Sequence, residues 1–208
     1  VSDVRLHPTA LKEENDYLRE ELQRRDEEIL LLKRKNRELY ELAYKDAVTG
    51  LSSRIHLEEV FESVEAKLEP LCLVMIDLDD FKSINDSFGH DTGDMVLHRL
   101  GAILETVSHR EHDVRARYGG EEFVVVLRSC NTEGAEHYVG RLLCRIREDL
   151  KFRLEDGRQV SATASIGIAE RLEGESMNAL LRRADQALYD AKRDGKDRVV
   201  VATKVNTK

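Results

Sequence analysis

The chain of 208 residues has no apolar stretch near the ~20 residues that span a bilayer, and no signal-peptide pattern. It has no surplus of basic charge either. A formal net charge of −8 argues against a nucleic-acid surface, which needs a basic stripe. Cysteine is scarce and odd in number: Cys72, Cys130 and Cys144 lie in apolar contexts, which points to reduced thiols in the cytoplasm rather than disulfides. No Cys/His cluster has zinc spacing. Aromatics at 5% beside 41% apolar residues describe a helix-rich α/β protein with room for one domain and an appendage.

What is present is concentrated in three places. Arg117-Tyr118-Gly119-Gly120-Glu121-Glu122-Phe123 reads as a hairpin tip between an alternating run (Val114, Ala116, Tyr118) and an apolar one. Two adjacent acids there repel unless a cation or donors compensate. By itself, the pattern is better read as a hairpin with its acids in solvent. Leu71 to Ile76 is a continuous apolar run that predicts a buried strand, and Asp77, Asp79 and Asp80 follow at its C-terminal end. Carboxylates at that position suit Mg²⁺; the alternative is a strand-to-helix turn with Asp79 or Asp80 as the cap. Asn85 to Asp94 carries amide and carboxylate groups that can read a guanine edge, and it also suits a polar loop before a helix beginning near Asp94, with Asp94 as its cap.

Six ordered segments together resemble the GGDEF-domain diguanylate cyclases over Asp46 to Val201, about three quarters of the chain. They are Asp46-Ala47-Val48-Thr49-Gly50-Leu51-Ser52-Ser53-Arg54, Asp77-Leu78-Asp79-Asp80-Phe81-Lys82, Asn85-Asp86 through Gly89-His90 to Gly93-Asp94, the Gly119-Gly120-Glu121-Glu122-Phe123 signature, Ser165-Ile166-Gly167, and Ala184-Asp185 through Lys192 to Gly195-Lys196. The resemblance implies an α+β fold, a palm-like antiparallel sheet packed with helices. It implies that Asp77, the Leu78 carbonyl and Glu121 hold Mg²⁺, with Mn²⁺ as the other admissible ion, and that Glu122 assists. Asn85 and Asp94 are expected to bind guanine, and Lys192 and Lys196 the β- and γ-phosphates, with Lys82 nearby. Lys196 stands where the family often has Arg, and Asp197 where it often has Asn.

The implied reaction joins two GTP into cyclic di-GMP and two pyrophosphates across a homodimer. Arg110 and Asp113, at the family's offset from the signature, with Arg141, are expected to form an inhibitory product site. The rival expectation is an inactive module that binds GTP or cyclic di-GMP.

Residues 1–45 differ in character from the cyclase-like portion, 46–208. Leu11, Leu18, Leu32 and Leu39 fall at d and Asn15, Leu22, Ile29, Asn36 and Ala43 at a of a heptad seam, which predicts a parallel coiled-coil homodimer. Arg25 at d, beside repelling Glu21 and Asp26, marks its weakest point. A second seam through Leu30, Tyr40, Tyr44 and Ala47 describes either a register switch or chance amphipathicity. A sensor domain upstream is the expected input.

Overall fold

The computed structural model describes residues 8–65, 69–107 and 112–203. The chain divides into two compact units between Leu42 and Ala43. The described residues of the first all belong to helix α1 (Pro8–Tyr44), which runs two residues beyond the boundary. Leu18, Leu22, Ile29, Leu32 and Leu39 are all exposed along it, so this single helix leaves its apolar seam in solvent. Arg25 donates to Glu21 at 2.7 Å within the same helix, which settles its charge beside one of the two acids.

The second unit is built on a five-stranded sheet in the order β2-β3-β1-β6-β7, with β1 at its centre. The strands are β1 (Leu71–Leu78), β2 (Val114–Gly119), β3 (Glu122–Arg128), β6 (Ala164–Glu170) and β7 (Val199–Val201). β1 pairs antiparallel with both β3 and β6. The antiparallel expectation fails only at the edge, where β7 runs parallel to β6. A separate hairpin pairs β4 (Lys151–Arg153) with β5 (Gln159–Ser161).

The continuous apolar run of β1 exists because both faces of the sheet are covered. Cys72, Val74, Ile76 and Leu78 join the core under α3 (Phe81–Phe88), α4 (His90–Val107) and α5 (Thr132–Asp149). Leu71, Leu73 and Met75 join the core under α2 (Arg54–Glu65) and α6 (Met177–Arg193). With a side-chain period of two, Asp77 therefore belongs to the α2/α6 face.

The helix expected near Asp94 begins four residues earlier, at His90. Gly89, at φ 88°, makes the break from α3 in one residue, and the Thr92 hydroxyl donates back to the Phe88 carbonyl. Asp94 is thus inside α4 and is not its cap. Asp80 does stand at the start of α3, but at φ 54° and with no side-chain capping bond.

Candidate active site

The sheet register assembles the acids. Asp77, the seventh residue of β1, lies opposite Glu122 of β3 on one side and Ser165 of β6 on the other. Gly119 pairs with Glu122, so Gly120 and Glu121 form the two-residue tip of the β2–β3 hairpin. Gly120 sits at φ 48°, a left-handed conformation that glycine adopts without a steric penalty.

Asp77 is 5% exposed. Its Oδ2 receives the Lys192 ammonium at 2.7 Å, whereas its Oδ1 is buried with no hydrogen-bond partner. Burial pushes the Asp77 carboxyl up, and Lys192 opposes that shift. Burial and then the Asp77 charge push Glu121 and Glu122 up as well; for Glu122, Asp185 adds a further push. A buried carboxylate that raises the pKa of two neighbouring carboxyls marks a site short of positive charge. The donor set is all oxygen, and the Oδ1 of Asp77 is a buried acceptor that no protein donor satisfies. That fits a hard divalent cation held by one or two carboxylates together with substrate phosphate. Among the described residues no three His, Cys, Asp or Glu side chains converge in a metal-binding group.

The basic residues approach from α6 and the turn after it. Lys192 reaches Asp77, and Lys196 reaches Asp80 at 2.6 Å. Lys82 lies exposed on the first turn of α3. Lys196 and Asp197 both take left-handed backbone, at φ 62° and 46°. Each such non-glycine residue costs about 1 kcal/mol or more and persists only where its surroundings impose it.

Asn85 and Asp94 meet through Gly93. A Cβ on Gly93 would lie 1.9 Å from Asn85 Oδ1 and 3.1 Å from the Phe81 ring. The Asn85 amide therefore rests directly over the α4 backbone, one residue from exposed Asp94. Spacing alone did not give Gly93 this role.

The expected inhibitory site is described only in part, because Arg110 lies outside the described residues. Asp113 is buried, and its Oδ1 accepts from the Arg128 amide at 3.2 Å. Arg141 is exposed on α5 and lines an open groove with Thr106, Val107 and Cys144. Near both lies the Tyr138 hydroxyl, which burial pushes up to about 12.

Two further networks join residues far apart in the chain. Arg117 donates from Nε and Nη2 to the Gly120 carbonyl (2.9 and 2.7 Å) and from Nη1 to both oxygens of Asp46 (3.2 Å each). Burial pushes the Asp46 carboxyl up, but the Thr49 hydroxyl and amide together with Arg117 outweigh it and hold the group below the usual carboxylate range. One guanidinium thus ties the glycine tip to the turn that precedes α2. In the second network, Asp79 accepts from Thr163, Ser165 and the Asp197 amide. Asp46 and Asp79 are both visible in sequence, but their partners lie 71 residues away for Asp46 and 84 to 118 away for Asp79.

Residues 43–198 match the family described as diguanylate cyclase, GGDEF domain. The chain belongs to the GGDEF family. It is 36% identical over 176 residues to diguanylate cyclase A of Treponema denticola, covering 80% of this chain and 46% of that protein. It is 41% identical over 164 residues to diguanylate cyclase DgcP of Pseudomonas aeruginosa, covering 77% of this chain and 24% of that one. The chain thus spans less than half the length of either relative. The crystal structure of the coiled coil and GGDEF domain of DgcB from Caulobacter crescentus, in complex with c-di-GMP, superposes with a TM-score of 0.82 at 28% identity, over 89% of this chain and 99% of that one. The long helix followed by a palm-like GGDEF domain is common to both.

Proposed function

We propose that this chain is a diguanylate cyclase in which residues 46–208 bind GTP and residues 1–45 pair two copies in parallel. The observation that carries the reading is the buried, unpartnered Oδ1 of Asp77, set beside Glu121 and Glu122 and faced by Lys192. Asp77, Glu121 and the Leu78 carbonyl would hold Mg²⁺, which supplies charge to lower the pKa of the attacking hydroxyl and to offset the phosphoryl oxygens. Lys192 and Lys196 take the β- and γ-phosphates, and Lys82 adds charge at the edge. Asn85 and Asp94 take the guanine edge, the carboxylate accepting from ring and exocyclic N–H groups.

In each of two steps a 3′-oxygen forms a bond to the α-phosphorus of the other GTP, the bond to pyrophosphate breaks, and the hydroxyl proton is lost. Each substrate is the other's nucleophile, so holding two pockets face to face supplies much of the rate. The exposed apolar seam of α1, with Asn15 and Asn36 among its a positions, supports a parallel partner helix. Asp113 and Arg141, with Arg110, would form the product site. The cytoplasm, where GTP is available, is the compartment the reading requires; among the described residues no helix is long and apolar enough to cross a membrane.

Asp94→Ala tests the base assignment. It leaves a guanine donor without its acceptor, and the preference for GTP over ATP in equilibrium binding should fall by about tenfold or more. Unchanged discrimination would place the guanine elsewhere.

A further inference from the structure

Lys196 owes its position to a turn that Gly195, at φ 115°, opens but explains only in part. Its own backbone and that of Asp197 are left-handed in succession, directly after Gly195. Such a turn relaxes unless something outside it holds it. Two side chains from distant elements do so. Asp79, 6% exposed, accepts the Asp197 amide at 3.0 Å on Oδ2 and is itself fixed by the Thr163 hydroxyl at 2.7 Å and the Ser165 hydroxyl at 2.6 Å. The Asp79 amide also donates to the Thr163 carbonyl at 2.8 Å, locking its backbone to the start of β6. On the outer side Arg147 of α5 shares its Nε–H between the two oxygens of the Asp197 carboxylate, at 2.9 and 3.1 Å, and donates from Nη2 to the Asp197 carbonyl at 2.9 Å. Asp197 is therefore gripped at its amide, carboxylate and carbonyl.

We propose that Asp79 and Arg147 are positioning residues that clamp Asp197, and through it hold the Lys196 ammonium on the polyphosphate of a bound nucleoside triphosphate. The inference rests on the functional reading above and adds two residues that touch no substrate. Asp79 adjoins the metal-binding carboxylates in sequence, yet both its oxygens are committed to hydroxyl and amide donors. Its work is hydrogen bonding, which an uncharged amide can largely reproduce. In Asp79→Asn the side-chain oxygen can still accept from the Asp197 N–H and the Thr163 hydroxyl, while the NH₂ donates to the Ser165 hydroxyl. Asp79→Ala loses all three bonds.

The test is equilibrium binding of tripolyphosphate and of GTP, each with Mg²⁺, to the parent, Asp79→Ala, Asp79→Asn and Arg147→Ala, with amide hydrogen exchange followed at residues 194–198. Asp79→Ala should weaken both ligands by about tenfold or more and speed exchange at the Asp197 amide. Asp79→Asn should stay within about threefold of the parent. Arg147→Ala, a surface change, should weaken both ligands by roughly threefold or more, and in turnover its loss should fall on KM. Asn as damaging as Ala would mean that the charge of Asp79 matters, and would overturn the positioning role. If Asp79→Ala does not fold, Arg147→Ala decides: parental affinity in that variant overturns the clamp. A parent that binds GTP while every variant binds it equally defeats only this inference. A parent that binds neither ligand defeats the functional reading and the clamp with it.

Discussion

Glu121→Gln should lower turnover by roughly 10²–10³-fold while the protein stays folded. The change is isosteric and falls at the two-residue tip of the β2–β3 hairpin, where nothing in the core depends on it. It removes a negative charge from a position where burial and then Asp77 already push the carboxyl up. A carboxyl raised in the folded state is one that the fold prefers protonated, so at neutral pH its charge weighs against folding. Stability measured without divalent cation should therefore be equal to or above that of the parent. This pairing separates the site from the scaffold: a ligand lost for catalysis is a repulsion relieved for folding. Turnover within about tenfold of the parent would remove Glu121 from the metal site.

Gly167→Ala should be the most damaging single methyl in the chain. Gly167 lies in the middle of β6, opposite Met75 of the central strand. A Cβ there would come 2.1 Å from the Ala184 carbonyl oxygen, 2.4 Å from the Leu188 nitrogen and 3.0 Å from the Ala187 carbonyl carbon. All three are backbone atoms of α6, so no rotamer change relieves the overlap, and α6 must lift from the sheet. Overpacking of this kind costs about 3 kcal/mol or more, and in a domain of this size lowers Tm by roughly 10 °C. Because Lys192 rides on α6, its 2.7 Å pairing with Asp77 should be lost as well. A thermal melt decides the matter: a Tm within about 2 °C of the parent would contradict the close approach of α6 to β6.

The parts of this molecule legible in sequence are those whose partners are local. The unbroken apolar run before Asp77 predicts a strand buried on both faces, and the structure covers it on both. The paired glycines predict a hairpin tip, and Gly120 turns it. The start of α4 was placed too late because a single left-handed glycine, Gly89, ends one helix and opens the next, where a longer loop was expected. Asp79 is the sharper case. It looks like one more acid beside the metal position, and only the fold reveals that Thr163, Ser165 and Asp197 consume its hydrogen-bonding capacity. Asp197 likewise read as a departure from the family pattern. With the Arg147 Nε–H on its carboxylate, the departure has its own partner, 50 residues away in the chain.

The measurement closest to the central claim is product analysis after incubating the purified chain with GTP and Mg²⁺. Cyclic di-GMP and pyrophosphate are expected in a one-to-two ratio, formed from GTP and not from ATP. GTP that binds and is recovered unchanged would contradict it, and would make this chain a nucleotide-binding module that keeps the acids of a cyclase without the reaction.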